Sequence, residues 1–302
     1  MRLHRRWILL ALSTCLAALA AGCARGPRLV VGSKNFTEQL ILGEIIAQHL
    51  ERRLGQRVER KLNLGGTLLA HQALAAGHID LYPEYTGTAL TAILKLEPLA
   101  DSAAVLERVR REYRERFGLL WLDPLGFDNS FAMVVRGEQA RSGRLRTLSE
   151  AAAWRKGWSL GAGYEFQQRA DGLAALTRTY GFQWRGTARV MDLGLLYQAL
   201  EQKQVDMVAA SATDGLLSKL DVQVLADDRR AFPPYQAAVV ARLETLARIP
   251  TLRAALEEIS GKFPEATMRR LNHALDGEHR PLAEVAAQFL REAGLEPAAP
   301  AR

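Results

Sequence analysis

The chain has 302 residues, room for two ordinary domains or one large one, and its 48% hydrophobic against 24% charged residues exclude a disordered chain. Its formal charge of +7 falls to +4 once Arg2, Arg5 and Arg6 at the extreme N-terminus are set aside. The remaining excess is spread thinly, with no dense basic patch interleaved with aromatics, so no nucleic-acid binding is read from it.

Residues 1–23 read as a signal peptide. The three arginines form a basic start, and Trp7 to Ala21 is a mostly apolar run of 15 residues, too short for a comfortable bilayer span. It ends in Leu19-Ala-Ala-Gly-Cys23, which resembles a bacterial lipobox except that Ala20, not leucine, stands three places before the cysteine. Cys23 is therefore expected to carry lipid and anchor the mature chain to a membrane; an ordinary signal cleavage is the alternative. The second cysteine, Cys15, leaves with the signal, so neither a disulfide nor a thiolate metal cluster is expected.

After the linker Arg25 to Arg28, Leu29 to Val31 read as a buried strand ended by Gly32. Thr37 is the expected N-cap of a helix through Leu54. Val58 to Leu64 alternate as a half-exposed strand, and Gly65-Gly66-Thr67 opens a helix through Ala76. This alternation implies a parallel sheet, in which ligands collect at the loops beyond the carboxyl ends of the strands. Asp80-Leu-Tyr-Pro-Glu-Tyr-Thr-Gly-Thr88 reads as a turn or loop, because Pro83 fixes φ and Gly87 permits unusual backbone. Its Tyr82 and Tyr85 are placed either to touch a ligand or to plug a core edge.

Residues 102–117 form an amphipathic helix, Ala132 to Val135 a strand, and 137–148 a polar loop. Thr147-Leu-Ser-Glu150 carries a capping-box pattern. Then follow a strand at 158–163, one helix over 164–180, a strand at 187–190, a helix at 193–203 and a strand at 205–210. Strands at 222–225 and 237–240 flank Phe232-Pro-Pro-Tyr235, and 251–290 is helical. The expected fold class is α/β, two lobes with a cleft between them.

Enzymatic constellations are missing: no G-x-S-x-G, no phosphate loop, no H-E-x-x-H, and no metal spacing among the histidines. No catalytic residue, metal or cofactor is expected. His71 and His78 read as satisfied or surface residues, and Glu84 and Asp214 as loop-ordering acids. What stands out is aromatic and cationic residues on strand-end loops. A quaternary ammonium forms no hydrogen bonds and needs ring faces, whereas a carboxylate needs Lys or Arg with hydroxyl help. Tyr85, Phe131 and Tyr235 suit the first role; Lys34, Thr88 and Arg169 suit the second.

Several stretches together carry a resemblance: Val31-Gly-Ser-Lys-Asn-Phe-Thr-Glu-Gln39, Leu62 to Thr67, Asp80 to Thr88, Leu125-Gly-Phe-Asp-Asn-Ser-Phe-Ala132, Glu165-Phe with Arg169 and Asp171-Gly172, Tyr197 to Leu200, Thr213-Asp-Gly215 and Phe232 to Tyr235. The chain resembles the glycine betaine/choline/carnitine substrate-binding proteins of osmoprotectant ABC importers. The resemblance implies a type II periplasmic-binding-protein fold, with lobe 1 at 28–127 and 236–302 and lobe 2 at 128–235. It further implies an extracytoplasmic monomer that delivers a quaternary ammonium or zwitterionic solute to a permease and its ATPase. Lys34, Thr88 and Arg169 match family positions that hold a solute carboxylate, and Tyr85 and Tyr235 match cage tyrosines. Asn129 and Ser211 complete the candidate binding set. The sequence departs from the family at Phe131, where tyrosine is common, and at Ser211, where an aromatic is common. The cage is thus incomplete, which leaves open a bulkier betaine or an amino-acid derivative. The same two-lobed fold could also serve an enzyme, or a sensor that hands its solute to a receptor.

Overall fold

The computed structural model describes residues 28–154 and 156–295, so the reading of residues 1–23, Cys23 included, lies outside it. Two five-stranded sheets carry the fold. The first has the order β2-β1-β3-β10-β4, formed by β1 (Leu29–Gly32), β2 (Val58–Lys61), β3 (Leu81–Tyr85), β4 (Leu119–Asp128) and β10 (Gln236–Arg242). The second has the order β7-β6-β8-β5-β9, formed by β5 (Phe131–Arg136), β6 (Leu160–Ala162), β7 (Arg189–Val190), β8 (Met207–Ser211) and β9 (Val222–Leu225). In each sheet one half is parallel, as the strand–helix rhythm predicts: β1 with β2 and β3, and β6 with β7 and β8. The other half is antiparallel, through β10 in the first sheet and β5 in the second. The chain crosses between the sheets at 129–130 and returns between β9 and β10.

Helix α1 (Thr37–Leu54) buries Ile41, Leu42, Ile45, Ile46 and Leu50, an apolar stripe at helical spacing against the first sheet. Its N-cap position is held by Phe36 rather than Thr37, which is the first helical residue; the Thr37 hydroxyl instead donates to Asp276 at 2.7 Å. The helices α2 (Thr67–Ala75) and α3 (Ser102–Phe117) complete this half, and His71 is buried edge-on to the rings of Tyr113 and Phe117.

Four readings need correction. Residues 81–85 are not loop but a fully buried central strand. Pro83 is tolerated there because β1 meets β3 only at Val31 and Leu81. Beyond that point the outer edge of β3 has no ladder: Tyr85 N–H donates to its neighbour Glu84 at 2.7 Å, and Pro83, two residues earlier, has no N–H to satisfy. The loop begins only at Thr86, a short helical turn (Thr86–Thr88) running into a π-helix (Ala89–Ile93). The polar stretch 137–148 contains the helix α4 (Gly137–Gly143), whose buried residues are only Gly137 and Ala140, so it shows no apolar period. After α5 (Leu148–Ala152), which does carry the predicted capping box, the 164–180 stretch divides into α6 (Tyr164–Gln168) and α7 (Leu173–Tyr180). Finally β4, unassigned from sequence, runs through Pro124, which is possible because it is an edge strand paired only with β10.

Toward the C-terminus α8 (Leu196–Glu201) covers the second sheet. The helices α9 (Leu243–Arg248), α10 (Leu252–Glu257), α11 (Glu265–Asp276) and α12 (Leu282–Glu292) return to the first half, with Phe263 stacked on Phe289 at 4.4 Å.

The break between α6 and α7 is enforced by close approach. A Cβ on Gly172 would lie 2.1 Å from the carbonyl oxygen of Phe166, a backbone atom with no freedom to yield. We expect Gly172→Ala to destabilise the protein by about 2–3 kcal/mol in urea denaturation, because the turn must open to relieve the overlap; an unchanged midpoint would show that the turn tolerates a side chain.

Candidate functional site

The loops at the carboxyl ends of β1 and β3 and the N-terminus of α2 face the α6–α7 break, the end of β8 and the two crossings. Lys34, just past β1, is buried, and its Nζ lies 2.6 Å from Glu84 Oε1 with both side chains almost inaccessible. The same Nζ sits 4.6 Å from the centroid of the Tyr85 ring and 5.7 Å from that of Phe36, and these two rings stack at 6.3 Å. From the other side Glu165 reaches across to α2, accepting from Thr67 N–H at 2.6 Å and from the Thr67 hydroxyl at 3.0 Å. A carboxylate at a helix N-terminus satisfies free N–H groups and the local positive potential.

Arg169 occupies the residue directly after α6. It donates through Nε and Nη2 to Asp171 at 2.9 and 2.5 Å, and through Nη1 to Thr88 Oγ1 at 3.0 Å. Its guanidinium carbon lies 5.2 Å from the Phe131 ring centroid and 5.4 Å from that of Tyr235. Asp171 also accepts from Thr91 and from the Tyr235 hydroxyl, each at 2.7 Å. Phe131 and Tyr235 are edge-to-face at 5.5 Å, and Phe166 and Phe232 back the Phe131 ring. Gly87 is required where the Thr86–Thr88 turn rests on Tyr235, since a Cβ there would lie 2.7 Å from the ring.

A third cluster centres on Glu38 in the first turn of α1. Its Oε1 accepts from the Tyr85 hydroxyl at 2.6 Å and from Asn129 Nδ2 at 2.7 Å; its Oε2 accepts from Asn272 Nδ2 at 3.2 Å and from the Thr213 hydroxyl. The Ser211 hydroxyl in turn donates to Asn129 Oδ1.

Burial opposes every charge here, and the partners decide the outcome. For Arg169, burial works against the cation, but the hydrogen bonds and charge of Asp171 outweigh it and hold the group firmly protonated. For Asp171 burial is likewise outweighed by Arg169, so its pKa falls below the ordinary value. Glu165 is lowered too, with Lys34 the leading charge against burial. Glu38 goes the other way: burial raises its pKa despite four hydrogen bonds.

The expected set of Lys34, Tyr85, Thr88, Asn129, Phe131, Arg169, Ser211 and Tyr235 is thus gathered into one connected cluster. Its two cations, however, already have internal partners. Glu84 is more than a loop-ordering acid, since it holds Lys34, whereas Asp214 does order a loop: it accepts from Leu216 N–H at 3.2 Å at the start of the Gly215–Ser218 turn. Sequence reasoning misses Glu38, Glu165 and Asp171. An acid in the first turn of a helix reads as a partner of the helix dipole, and the signal that could raise all three is their place inside the motif stretches.

Comparison with known proteins decides what this arrangement belongs to. Residues 27–292 match the family described as the substrate binding domain of the ABC-type glycine betaine transport system. The chain belongs to this family. As such it is the substrate-binding component of an ABC transport system, with the two-lobed α/β fold of periplasmic binding proteins. This binding protein is 38% identical over 288 residues to a glycine-betaine-binding protein of Pseudomonas aeruginosa, covering 92% of each chain. It is 33% identical over 290 residues to an ergothioneine transport permease/ergothioneine binding protein of Helicobacter pylori, and spans 96% of itself but only 52% of that longer relative. A crystal structure described as a glycine betaine/carnitine/choline ABC transporter superimposes with a TM-score of 0.74 at 31% identity, covering 88% of this chain and 99% of the other. Among the described residues of the binding protein no helix is long and apolar enough to cross a membrane, and no group of His, Cys, Asp and Glu has the arrangement to hold a metal ion.

Burial raises the pKa of Asp214 to about 6. With the folded pKa above the unfolded one, its contribution to stability is full at low pH and is lost as pH rises through about 6. Asp214→Asn keeps an acceptor for Leu216 N–H, so we expect the variant to gain on the wild type as pH is raised from 4 to 8, by about 1–2 kcal/mol in denaturation midpoints converted to free energy. A gap that stays constant with pH would assign the titration elsewhere.

Proposed function

We propose that the binding protein holds a quaternary ammonium compatible solute, such as glycine betaine or choline, between the rings of Tyr85, Phe131 and Tyr235, with Lys34, Thr88 and Arg169 meeting a carboxylate where the solute has one. The observation that supports this most directly is that the rings already host cations: Lys34 lies over Tyr85, and Arg169 lies over Phe131 and Tyr235. Ring faces arranged to take a positive charge are what a group without hydrogen bonds requires, at about 0.5–2 kcal/mol per contact depending on desolvation. A solute ammonium that displaces Arg169 or Lys34 from a ring conserves the cation–ring contact, and the displaced side chain reaches the solute carboxylate by sharing or exchanging its bonds to Asp171 or Glu84. No residue is assigned a catalytic role in this reading. The working partners are a permease and its ATPase, and the protein acts as a monomer on the outer face of the membrane, tethered through Cys23; a permease and an ATPase encoded alongside would favour import over delivery to a receptor.

A second reading, a larger betaine, draws on Ser211. It stands at the end of β8 beside Asn129, small and partly exposed, where a bulky ring would fill the space. The Helicobacter pylori relative, named for ergothioneine, a betaine larger than glycine betaine, fits that reading.

Calorimetric titration with glycine betaine, choline, carnitine and ergothioneine separates the two. Heat with none of them overturns the quaternary ammonium assignment. Phe131 is the better position for testing the cage, because Tyr235 is 2% exposed and holds Asp171, so its truncation would also unfold packing. Phe131→Leu keeps most of the volume and removes the ring face. We expect affinity for the best of these solutes to fall about tenfold, with the melting temperature lowered by a few degrees through the lost contacts to Phe166 and Phe232; equal affinity would place the ammonium elsewhere.

A further inference from the structure

Glu38 is the one carboxylate of the cluster whose partners are all neutral. Glu84 has Lys34, Asp171 has Arg169, and Glu165 lies 3.9 Å from Arg169 as well as on the α2 N-terminus. Glu38, 3% exposed, accepts only from the hydroxyls of Tyr85 and Thr213 and the amides of Asn129 and Asn272; no lysine or arginine among the described residues pairs with it. Burial raises the Glu38 pKa, so its charged form is present only above that raised value; in that form four donors satisfy its lone pairs without cancelling its charge, and it is the charged form that bears on Tyr85. The direction in which that charge acts is fixed by the geometry. The Tyr85 hydroxyl points at Glu38, so the carboxylate lies at the edge of a ring whose face already holds Lys34 Nζ at 4.6 Å. A phenol that donates to a carboxylate has a more electron-rich face, and the carboxylate adds its own attraction for whatever cation rests on that face.

We infer that Glu38 is a specificity-determining residue that acts through Tyr85: its uncompensated negative charge makes the Tyr85 face select a permanent cation over a neutral group of the same shape. This rests on the reading that Tyr85 belongs to the solute cage. It adds what shape and ring count leave open, the charge of the preferred solute head. With Lys34 and Arg169 each matched by an acid, the uncancelled charge of the cluster is negative, which suits a solute with a full positive head such as choline.

The test compares choline with 3,3-dimethylbutan-1-ol, in which an uncharged tert-butyl group replaces the trimethylammonium. Both are titrated by calorimetry into wild type and Glu38→Gln, alongside thermal melts. Glutamine retains an acceptor for Tyr85 and Asn129, its new amide can donate to the Thr213 hydroxyl, which rotates to accept, and Asn272 Nδ2 keeps its bond to the Thr213 carbonyl at 2.8 Å. We expect wild type to prefer choline and Glu38→Gln to narrow that preference about tenfold, nearly all of it from weaker choline binding. A preference unchanged in Glu38→Gln, or both ligands weakened by one common factor, overturns the inference and leaves Glu38 a structural clasp. If Glu38→Gln does not fold, Tyr85→Phe cuts the same link with the ring kept, and an unchanged preference there overturns the inference equally. Wild type that binds no quaternary ammonium compound is a different failure, visible before any substitution: it removes the cage reading and this inference with it.

Discussion

Burying charge between two lobes is the constraint on which the cluster depends. Lys34, Glu38, Glu84, Glu165, Arg169 and Asp171 are drawn together from both sheets, and nearly all are withdrawn from water. Isolated, each would cost several kcal/mol or neutralise. The pairs Lys34–Glu84 and Arg169–Asp171 remove most of that cost within a single lobe. Among the bonds that join the lobes are Thr67 to Glu165, Thr88 to Arg169 and Thr91 to Asp171, made by groups with an opposite charge nearby, and Thr213 to Glu38, which has only neutral partners. Three of the four use a threonine hydroxyl of the first half, a group that water can serve almost as well. Contacts of that kind hold two halves together without making their separation prohibitive, which suits a protein that must take up a solute and release it.

The rings follow from the same constraint. An arginine or lysine held at a ring face keeps part of its stabilisation when it leaves water, which a purely apolar wall would not give. A site that stabilises its own cations on ring faces is thereby suited to a foreign cation of similar size. The acids that hold Lys34 and Arg169 in place also limit how strongly these side chains attract a solute carboxylate. Electrostatics of the cluster and choice of solute are one problem rather than two.

Much of this is legible in the sequence and some of it is not, for reasons tied to particular residues. The strands β1, β5, β8 and β10 are continuous apolar runs, and α1 and α3 have clear helical periods, so the two α/β halves can be read directly. Pro83 and Pro124 mislead because proline argues against strand except where an edge lacks a ladder, and neither edge is visible before the topology is known. The 164–180 stretch breaks within the largely polar run Gln167 to Gly172, where an isolated glycine does not by itself end a helix; the packing of Gly172 on Phe166 reveals the turn that brings Arg169 to Thr88 and Asp171 to Thr91. The cations and rings are legible because their chemistry is unusual on strand-end loops. Their acidic partners are not, since Glu84 looks like a loop residue and Glu38 like an ordinary first-turn acid.

The crossings between the sheets are themselves part of the cluster. Asn129 N–H donates to the Tyr235 carbonyl at 3.1 Å, and Tyr235 N–H donates to Asp128 Oδ2 at 2.7 Å, so the outgoing and returning segments are bonded to each other. Tyr235 makes both bonds through its backbone, and its ring faces that of Phe131, two residues beyond Asn129. A rotation of one sheet against the other about residues 128–131 and 235–236 leaves that ring pair together, while it carries Lys34 and Tyr85 away with the first half and Arg169 with the second. In such a rotation the ring pair would be the part of the cluster least altered, and under the proposed cage it is the surface a cationic solute would meet first. Under the same proposal the Lys34–Tyr85 face and Arg169 would complete the enclosure as the halves meet. Asn129 Nδ2 also donates to Glu38 at 2.7 Å, so the crossing segment is bonded to the carboxylate behind Tyr85 when the halves are together.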